Sequence, residues 1–464
     1  MAGTRRGLVG AGVAAATGIA LLAGGTPAHP LAPGAGAAPS AAAARPVLEP
    51  AVSTPDGVPS TAGVQAALGA LTGDKALGTL TFAIADGTTG KLLLGSGESS
   101  PATPASTTKL ATSVAALSLL PPQTRLATKV VKGAGPDEIV LVGGGDPTLS
   151  GLNPDQIRIG LAPVDGDSAP ASLPDLARQT AAALKAANLT TVHLDYDTSL
   201  YTGPAFHPFN DGTDIGPMSA LMIDEGRVTA TDDVEAPVRV PDPAGQAAAK
   251  FGDLLAAQGV KVADKPKEAA APAGAARLGE VESPIIGRLV ERALTNSDNT
   301  LAEAIGRQVA VAGKQPVSYE GAAAAVTAEL ARLGLPMQGV QLNDSSGLNT
   351  HNTIPPVLLT DLLAMAAAPD HPQLRPVLTG LPIGGFTGTL RLRYQAAQGS
   401  ADGAGIVRAK TGSLTGVNTL AGSVVDADGR VLVFALMTKG AVDPNAARYA
   451  MDRIVTRLAS CGCR

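Results

Sequence analysis

Residues 101–120 read PATPASTTKLATSVAALSLL, and this stretch predicts a helix that carries a nucleophile in its first turn. Pro104 suits a helix entry, and the run from Leu110 is rich in alanine and leucine, which favour a helix. Ser106 and Lys109 stand three residues apart, so their side chains share a helix face. A serine hydroxyl needs a nearby base, and burial can lower the pKa of a lysine enough to provide one. The alternative is a surface helix with an incidental S-x-x-K, a pattern expected about once by chance in such a chain.

Two later motifs raise the weight of the first. Ser297-Asp298-Asn299 lies in the amphipathic helical pattern of residues 285–311, and Lys410-Thr411-Gly412 is expected where the strand-like run 406–409 ends. A lysine, a small hydroxyl residue and a glycine on an edge strand suit carboxylate recognition, because glycine lets the backbone approach closely. Alone, the third motif would be a strand end that runs into a turn. The ordered set S-x-x-K, S-D-N, K-T-G is that of penicillin-binding proteins and β-lactamases.

Composition excludes several classes of function. The 464 residues suffice for two or three domains with a real core. A net charge of −5, with 2% aromatic residues and no tryptophan, argues against nucleic-acid binding. Cys461 and Cys463 could form a small disulfide, but two ligands do not make a zinc site, and the five histidines show no H-E-x-x-H spacing. We therefore expect no metal site. We also expect no organic cofactor, since none is required by the family that the chain is found below to resemble.

The N-terminus is typical of an exported protein. Residues 1–28 are predicted to be a signal peptide, in which Arg5 and Arg6 precede a short apolar run. An ordinary secretory signal is favoured over a twin-arginine signal, and an uncleaved anchor remains an alternative, which would associate the protein with the membrane. Residues 29–60, rich in alanine and proline, are predicted to be a linker. The protein is thus expected outside the cytoplasm, in the wall, at the membrane or secreted.

The rest of the chain predicts a mixed α/β (α+β) protein with a large insert. Hairpins are expected at 80–94 and at 418–438, with helices at 64–71, 320–333, 355–367 and 445–459. Between them, strand-like runs at 126–131, 139–142, 192–196 and 227–230 mix with helical patterns at 173–187 and 245–258. We predict a catalytic domain made of residues 61–123 and 285–464. An inserted mixed α/β region, of one or two subdomains, would occupy residues 124–284.

Over residues 80–438 the chain resembles the penicillin-binding D-alanyl-D-alanine carboxypeptidases/endopeptidases with a large insert, the peptidase S13 or class C low-molecular-mass type. The matching stretches are PASTTKL (104–110), LVGGGDPTLS (141–150), IGPMSALMIDEGRV (215–228), TNSDNTLAE (295–303), NDSSGLN (343–349), GTLRLR (388–393) and AKTGSLTG (409–416). The GGGDPTL element and the long gap between the first two motifs favour this family over β-lactamases generally. The resemblance implies a β-lactamase/transpeptidase-like domain, an antiparallel sheet flanked by helices.

The resemblance also implies a role for each residue of the first two motifs. Ser106 would be the nucleophile, acylated by the penultimate D-Ala carbonyl, and Lys109 would take its proton. Ser297 would pass a proton to the leaving D-Ala, and Asn299 would contact Lys109 and the substrate amide. The implied partners are peptidoglycan stem peptides and β-lactam antibiotics.

Further residues are implied on the substrate side. Lys410 and Thr411, followed by Gly412 and Ser413, would bind the terminal carboxylate, and the backbone N–H groups of Ser106 and Ser413 would form the oxyanion hole. In the family that the chain resembles, the aspartate that matches Asp146 meets the free amine of the stem peptide's diamino acid, so the resemblance implies this role for Asp146. From composition alone, Asp146 would be a solvated carboxylate in a plain turn.

Two other functions compete with this one. A class A β-lactamase needs a glutamate for deacylation and a short gap between the first two motifs, and the gap here is far too long. A catalytically silent wall-associated scaffold would keep the fold, but it would need none of the motif side chains. Labelling with Bocillin separates an active penicillin-binding enzyme from a silent scaffold, because the scaffold should stay unlabelled.

Overall fold

The computed structural model describes residues 59–157, 166–209, 213–230 and 236–464. The predicted signal at 1–28 and residues 29–58 of the predicted linker lie outside the described residues. Within those ranges, no helix combines the length and the apolar character that crossing a bilayer requires.

Helices and strands alternate along the described chain. The α-helices are α1 Thr61–Leu68, α2 Thr108–Leu119, α3 Leu173–Ala186, α4 Pro243–Ala257, α5 Ile286–Thr295, α6 Asn299–Ala312, α7 Tyr319–Arg332, α8 Pro356–Ala367, α9 Arg375–Thr379 and α10 Pro444–Ala459. The strands are β1 Thr79–Asp86, β2 Leu92–Ser96, β3 Ala127–Lys132, β4 Glu138–Val142, β5 Thr191–Asp197, β6 Lys261–Val262, β7 Lys267–Glu268, β8 Arg277–Glu282, β9 Arg408–Leu414, β10 Val417–Val425 and β11 Val431–Lys439. Cys461 and Cys463, which follow α10, form a disulfide.

A five-stranded antiparallel sheet carries the predicted third motif. Its strand order is β2-β1-β11-β10-β9, so the motif strand β9 lies at one edge and β11 at the centre. Seven consecutive residues of β11 are buried, because side chains alternate between two faces and each face has its own core. One core includes Val433, Ala435 and Met437 with α2 and α5–α8; the other includes Leu432, Phe434 and Leu436 with α10. The antiparallel sheet flanked by helices is confirmed.

A second sheet lies within residues 127–282. Its order is β6-β5-β4-β3-β8, and β7 also pairs with β5. The pairs β4–β5 and β5–β6 are parallel, and α3 and α4 supply the helical crossovers that parallel neighbours need. Both helices pack on the sheet around one apolar core. The strand predicted at 227–230 is wrong: Arg227 forms only an isolated bridge with Arg239. The domain boundaries themselves stay a prediction.

The second motif breaks a helix that the pattern of residues 285–311 predicts as continuous. Helix α5 ends at Thr295, and Ser297 adopts a left-handed backbone with φ 57°. Asp298 then caps α6, because its Oδ1 accepts a hydrogen bond from Leu301 N at 2.9 Å. Aspartate is among the favoured N-cap residues, so the polar motif forms a turn between two helices.

Candidate active site

Ser106 lies in a short 3₁₀ turn, Ala105–Thr107, immediately before α2 begins. Ala105 has a positive φ of 47°, an uncommon conformation for a residue with a Cβ and one that clusters at functional sites. Two hydroxyls hold the preceding carbonyl: Thr107 Oγ1 and Thr419 Oγ1 donate to Pro104 O at 2.6 and 2.8 Å. The turn fixes Ser106 as a half-buried side chain one turn before Lys109.

Lys109 is fully buried and its amine has three polar neighbours. Its Nζ lies 2.6 Å from Asn299 Oδ1, 2.8 Å from Ser346 O and 3.1 Å from Ser106 Oγ. Burial lowers the pKa of Lys109 to about 8, although nearby carboxylates oppose the shift. A neutral amine has two N–H groups and one lone pair. Two of the neighbours can only accept, so the lone pair is left for the proton of Ser106.

Lys410 of the third motif contacts Ser297 of the second motif. Its Nζ lies 2.8 Å from Ser297 Oγ and 2.7 Å from Thr411 O, and the side chain is fully buried. Burial, followed by the positive charge of Lys109, holds the pKa of Lys410 well below its usual value. Among the described residues no carboxylate pairs with Lys410, so the neutral amine is favoured until an incoming anion stabilises the ammonium.

Strand β9 passes very close to the nucleophile turn. A Cβ at Gly412 would lie 2.2 Å from Thr419 Oγ1 and 2.9 Å from Ser106 N, so only glycine permits this approach. The expectation that the motif ends its strand is wrong, since β9 continues to Leu414 and pairs with β10 throughout. Pairing through the motif fixes the edge of the cleft.

The two hydroxyl residues of this strand have side-chain partners. Thr411 Oγ1 lies 2.8 Å from Thr389 Oγ1, and Ser413 Oγ accepts from Arg448 Nη2 at 3.1 Å. The structure thus brings Ser106, Lys109, Ser297, Asn299 and residues 410–413 into one cluster. Their predicted roles are not decided by this placement.

Asp146 is buried rather than solvated, which corrects the reading from composition. Its Oδ1 accepts from the Thr148 backbone N–H at 2.8 Å and from Thr148 Oγ1 at 2.7 Å, and its buried Oδ2 has no hydrogen-bond partner. Burial raises the pKa of Asp146 to about 6. Within the described ranges, no hydrogen bond or ion pair joins Asp146 to the other predicted site residues.

The sequence does not reveal one participant, the backbone carbonyl of Ser346. The stretch NDSSGLN (343–349) is part of the family resemblance, but a carbonyl oxygen has no side-chain signature. Its approach to Lys109 depends on the fold of the loop, which buried Glu303 and Asp344 hold. No sequence signal points to this carbonyl, because Glu303 and Asp344 lie near Lys109 only in the folded chain.

Comparison with known proteins decides the family. The model of the D-Ala-D-Ala carboxypeptidase 3 (S13) family matches residues 64–237 and 230–461. The chain belongs to this family. The predicted family is confirmed, and with it the class of enzyme, a serine-type D-Ala-D-Ala carboxypeptidase.

Curated relatives and a solved structure agree with this assignment. A carboxypeptidase of Mycobacterium tuberculosis is 41% identical over 423 residues, which cover 87% of this chain and 85% of the relative. The carboxypeptidase DacB of Mycolicibacterium smegmatis is 39% identical over 437 residues, 92% of this chain and 90% of the relative. The crystal structure of penicillin binding protein 4 from Haemophilus influenzae has a TM-score of 0.68 at 21% identity and covers 85% of this chain and 99% of its own. That likeness shows the fold.

Proposed function

We propose that Ser106 is the nucleophile of this carboxypeptidase and that its substrate is the D-Ala-D-Ala end of peptidoglycan stem peptides. One observation carries the proposal. The Lys109 amine lies 3.1 Å from Ser106 Oγ, while Asn299 Oδ1 and Ser346 O accept its two protons. This is the arrangement that a neutral lysine needs in order to act as a general base.

Acylation begins when Lys109 takes the proton of Ser106. The Ser106 oxygen attacks the penultimate D-Ala carbonyl, and the carbonyl oxygen becomes an oxyanion. The backbone N–H groups of Ser106 and Ser413 receive that charge, in support of which β9 runs beside the Ser106 turn. The electrostatic stabilisation comes from donors that the fold fixes in advance.

Departure of the terminal D-Ala requires a proton and an anion site. Ser297, hydrogen-bonded to Lys410, passes a proton to the nitrogen as the peptide bond breaks, and the proton that Lys109 took from Ser106 is returned to Ser297. Lys410 and Thr411 bind the terminal carboxylate, and this negative charge raises the lowered pKa of Lys410 and so stabilises its ammonium form. Asn299 holds Lys109 on one side and the substrate amide on the other.

Water then hydrolyses the acyl-enzyme and restores Ser106. A β-lactam carries the same features, a strained amide carbonyl and a nearby carboxylate, and therefore acylates the same serine. When its ring opens, the leaving nitrogen stays attached, so water has less room to attack. We propose β-lactam antibiotics as covalent inhibitors on this ground.

We further propose that residues 1–28 export the chain and that the enzyme works outside the cytoplasm. The support is the sequence of an export signal together with the extracytoplasmic substrate of the family. Membrane association would follow if the signal were retained as an anchor.

The test of the nucleophile is a covalent adduct. Incubation of the purified protein with benzylpenicillin should add one acyl group, mapped to Ser106 by peptide mass spectrometry, and Ser106→Ala should lose both the adduct and the carboxypeptidase activity. A matched control is Ser113→Ala, because Ser113 is buried in the same helix α2 but is outside the proposed site. A stable adduct on another residue would contradict the proposal.

A further inference from the structure

Loop 343–349 supplies one of the three contacts of Lys109. The Ser346 carbonyl lies 2.8 Å from Lys109 Nζ, and the neighbouring Ser345 carbonyl accepts from Thr112 Oγ1 at 2.8 Å. Gly347 has a left-handed backbone with φ +92°, and a Cβ there would lie 1.9 Å from Ala105 O. The loop is therefore packed directly against the turn that carries Ser106, where a small displacement would move the lysine.

Glu303 holds this loop from helix α6. Its Oε1 accepts the backbone N–H groups of Ser345 and Ser346 at 3.0 and 2.9 Å, and its side chain is fully buried. Asn299 begins the same helix and accepts from Lys109 directly. One helix thus controls both acceptors of the amine, the first through a side chain and the second through the loop backbone.

Asp344 holds the loop from within. It accepts from Gly347 N at 2.9 Å and from Asn349 N at 2.7 Å, and His207 Nε2 lies 3.0 Å from its Oδ2. Phe209 N donates to His207 Nδ1, so the ring proton is on Nε2 and is donated to Asp344. The imidazole therefore orients the carboxylate.

The same three side chains have the composition of a metal site, but their atoms are already engaged. The candidate ligand atoms of His207, Glu303 and Asp344 lie within 4.8 Å of one another. Glu303 Oε2 is the oxygen without a hydrogen bond, and it lies 3.6 Å from Arg307 Nη1. A cation would have to displace backbone donors and compete with a guanidinium, so the cluster is better described as a hydrogen-bonded support.

We propose that Glu303 and Asp344 are positioning residues for acylation: they fix loop 343–349 so that the Ser346 carbonyl aims the Lys109 lone pair at Ser106. This inference rests on the proposed function, in which Lys109 is the base. The negative charges of Glu303, Asp344 and Asp298 oppose the effect of burial on the pKa of Lys109, and the amine of Lys410 is a further basic group that interacts with it. Burial, followed by Asp344, raises the pKa of Glu303 itself, while Arg307 at 3.6 Å favours its ionised form. Removing one such charge should therefore let Lys109 lose its proton at lower pH.

Two substitutions separate geometry from charge. Glu303→Gln keeps an oxygen for the two N–H groups but removes the charge, and Glu303→Asp keeps the charge but withdraws it by one methylene. The readouts are the rate of Bocillin acylation of the full chain from about pH 6 to 10, the range around the Lys109 transition, and the melting temperature. We expect Glu303→Gln to keep the acylation rate at high pH within about threefold of the wild type. The acidic limb of its pH–rate profile, the range in which the rate rises as Lys109 loses its proton, should lie at lower pH. Glu303→Asp should lose roughly 10- to 100-fold at every pH and keep the wild-type limb.

The control is Glu329→Gln, which removes a buried carboxylate of α7 that pairs with Arg332. It should leave both the rate and the limb unchanged. If Glu303→Asp does not fold, His207→Phe replaces it: this variant removes one donor to Asp344 and should slow acylation several-fold. Folded variants with wild-type rates and an unmoved limb would overturn the inference. A wild-type protein that Bocillin does not acylate would instead overturn the proposed function.

Discussion

At the scale of single residues, the two buried lysines of the cleft receive different surroundings. The Lys109 amine has three oxygen contacts. Burial lowers its pKa to about 8, and the charges of three nearby carboxylates limit the shift. Lys410 has two oxygen contacts, and burial, followed by the positive charge of Lys109, lowers its pKa well below the usual value. The first environment suits a base near neutral pH, and the second favours a neutral amine that regains its proton when an anion binds beside it.

Replacing Lys109 tests its role as the base. Lys109→Ala should reduce penicillin acylation by several orders of magnitude, because Ser106 loses its proton acceptor. Lys109→Arg should not restore it, since a guanidinium stays protonated at working pH. In the wild type, the rate should rise with pH through about 8, as the lysine that is protonated below this pKa becomes neutral above it. Wild-type acylation by the Arg variant would place the base elsewhere.

Asp146 is a second residue whose charge can be tested. For Asp146 to meet the ammonium of an amine-bearing stem peptide, its buried Oδ2 must become accessible when the peptide binds; the contact would then contribute about 1.5–3 kcal/mol. Asp146→Asn should lower kcat/KM for such peptides roughly 10- to 100-fold and leave penicillin acylation nearly unchanged. Because burial raises the pKa of Asp146 to about 6, the carboxyl is neutral below this pH and the preference for the amine should grow as pH rises through it. Equal losses for amine-blocked peptides would mean that Asp146 only shapes its loop.

At the scale of elements, the cleft depends on how closely β9 can approach the turn before α2. Thr419 Oγ1 both holds Pro104 O and occupies the space beside Gly412. The edge strand β9 and the turn that carries Ser106 therefore pack directly against each other. Strand β9 does not end at the third motif but pairs with β10 along its whole length.

Gly412→Ala should push strand β9 away from the turn that carries Ser106. The added methyl group would displace Thr419 or the Ser106 backbone, so we expect a loss of about 1–3 kcal/mol of stability and a slower acylation. Gly252→Ala is the matched control, because the nearest atom to a Cβ there is 3.6 Å away and the position is inside α4. Thermal melting and Bocillin labelling measure the two effects. Equal behaviour of both variants would show that the close approach is not needed.

At the scale of the whole molecule, local patterns predicted much of the fold, and contacts between distant segments account for what they missed. The i, i+3 spacing of Ser106 and Lys109 and the two hairpins follow from short-range rules, and the structure contains them. The left-handed backbone of Ser297 could not be predicted, because the amphipathic helical pattern of the sequence continues on both sides of this residue. The Ser346 carbonyl could not be predicted, since its position is set by Glu303, which is 43 residues away in the sequence, and by Asp344 within its own loop.

Export concerns the chain as a whole. Expressed in a bacterium, the full chain should be recovered outside the cytoplasm, and a variant without residues 1–28 should remain inside. Fractionation with penicillin labelling of each fraction measures both. Full-length, unprocessed protein confined to the cytoplasm would count against an export signal.

The central strand β11 has a consequence for biosynthesis. It joins β1, near the start of the described chain, to β10, and its two faces close two separate cores. A ribosome must therefore complete almost the entire polypeptide before the five-stranded sheet can assemble, and the hairpin of β1 and β2 lacks its neighbouring strand β11 until then. A premature stop before Val431 would leave both cores open, so truncated products should be degraded rather than accumulate as penicillin-binding fragments.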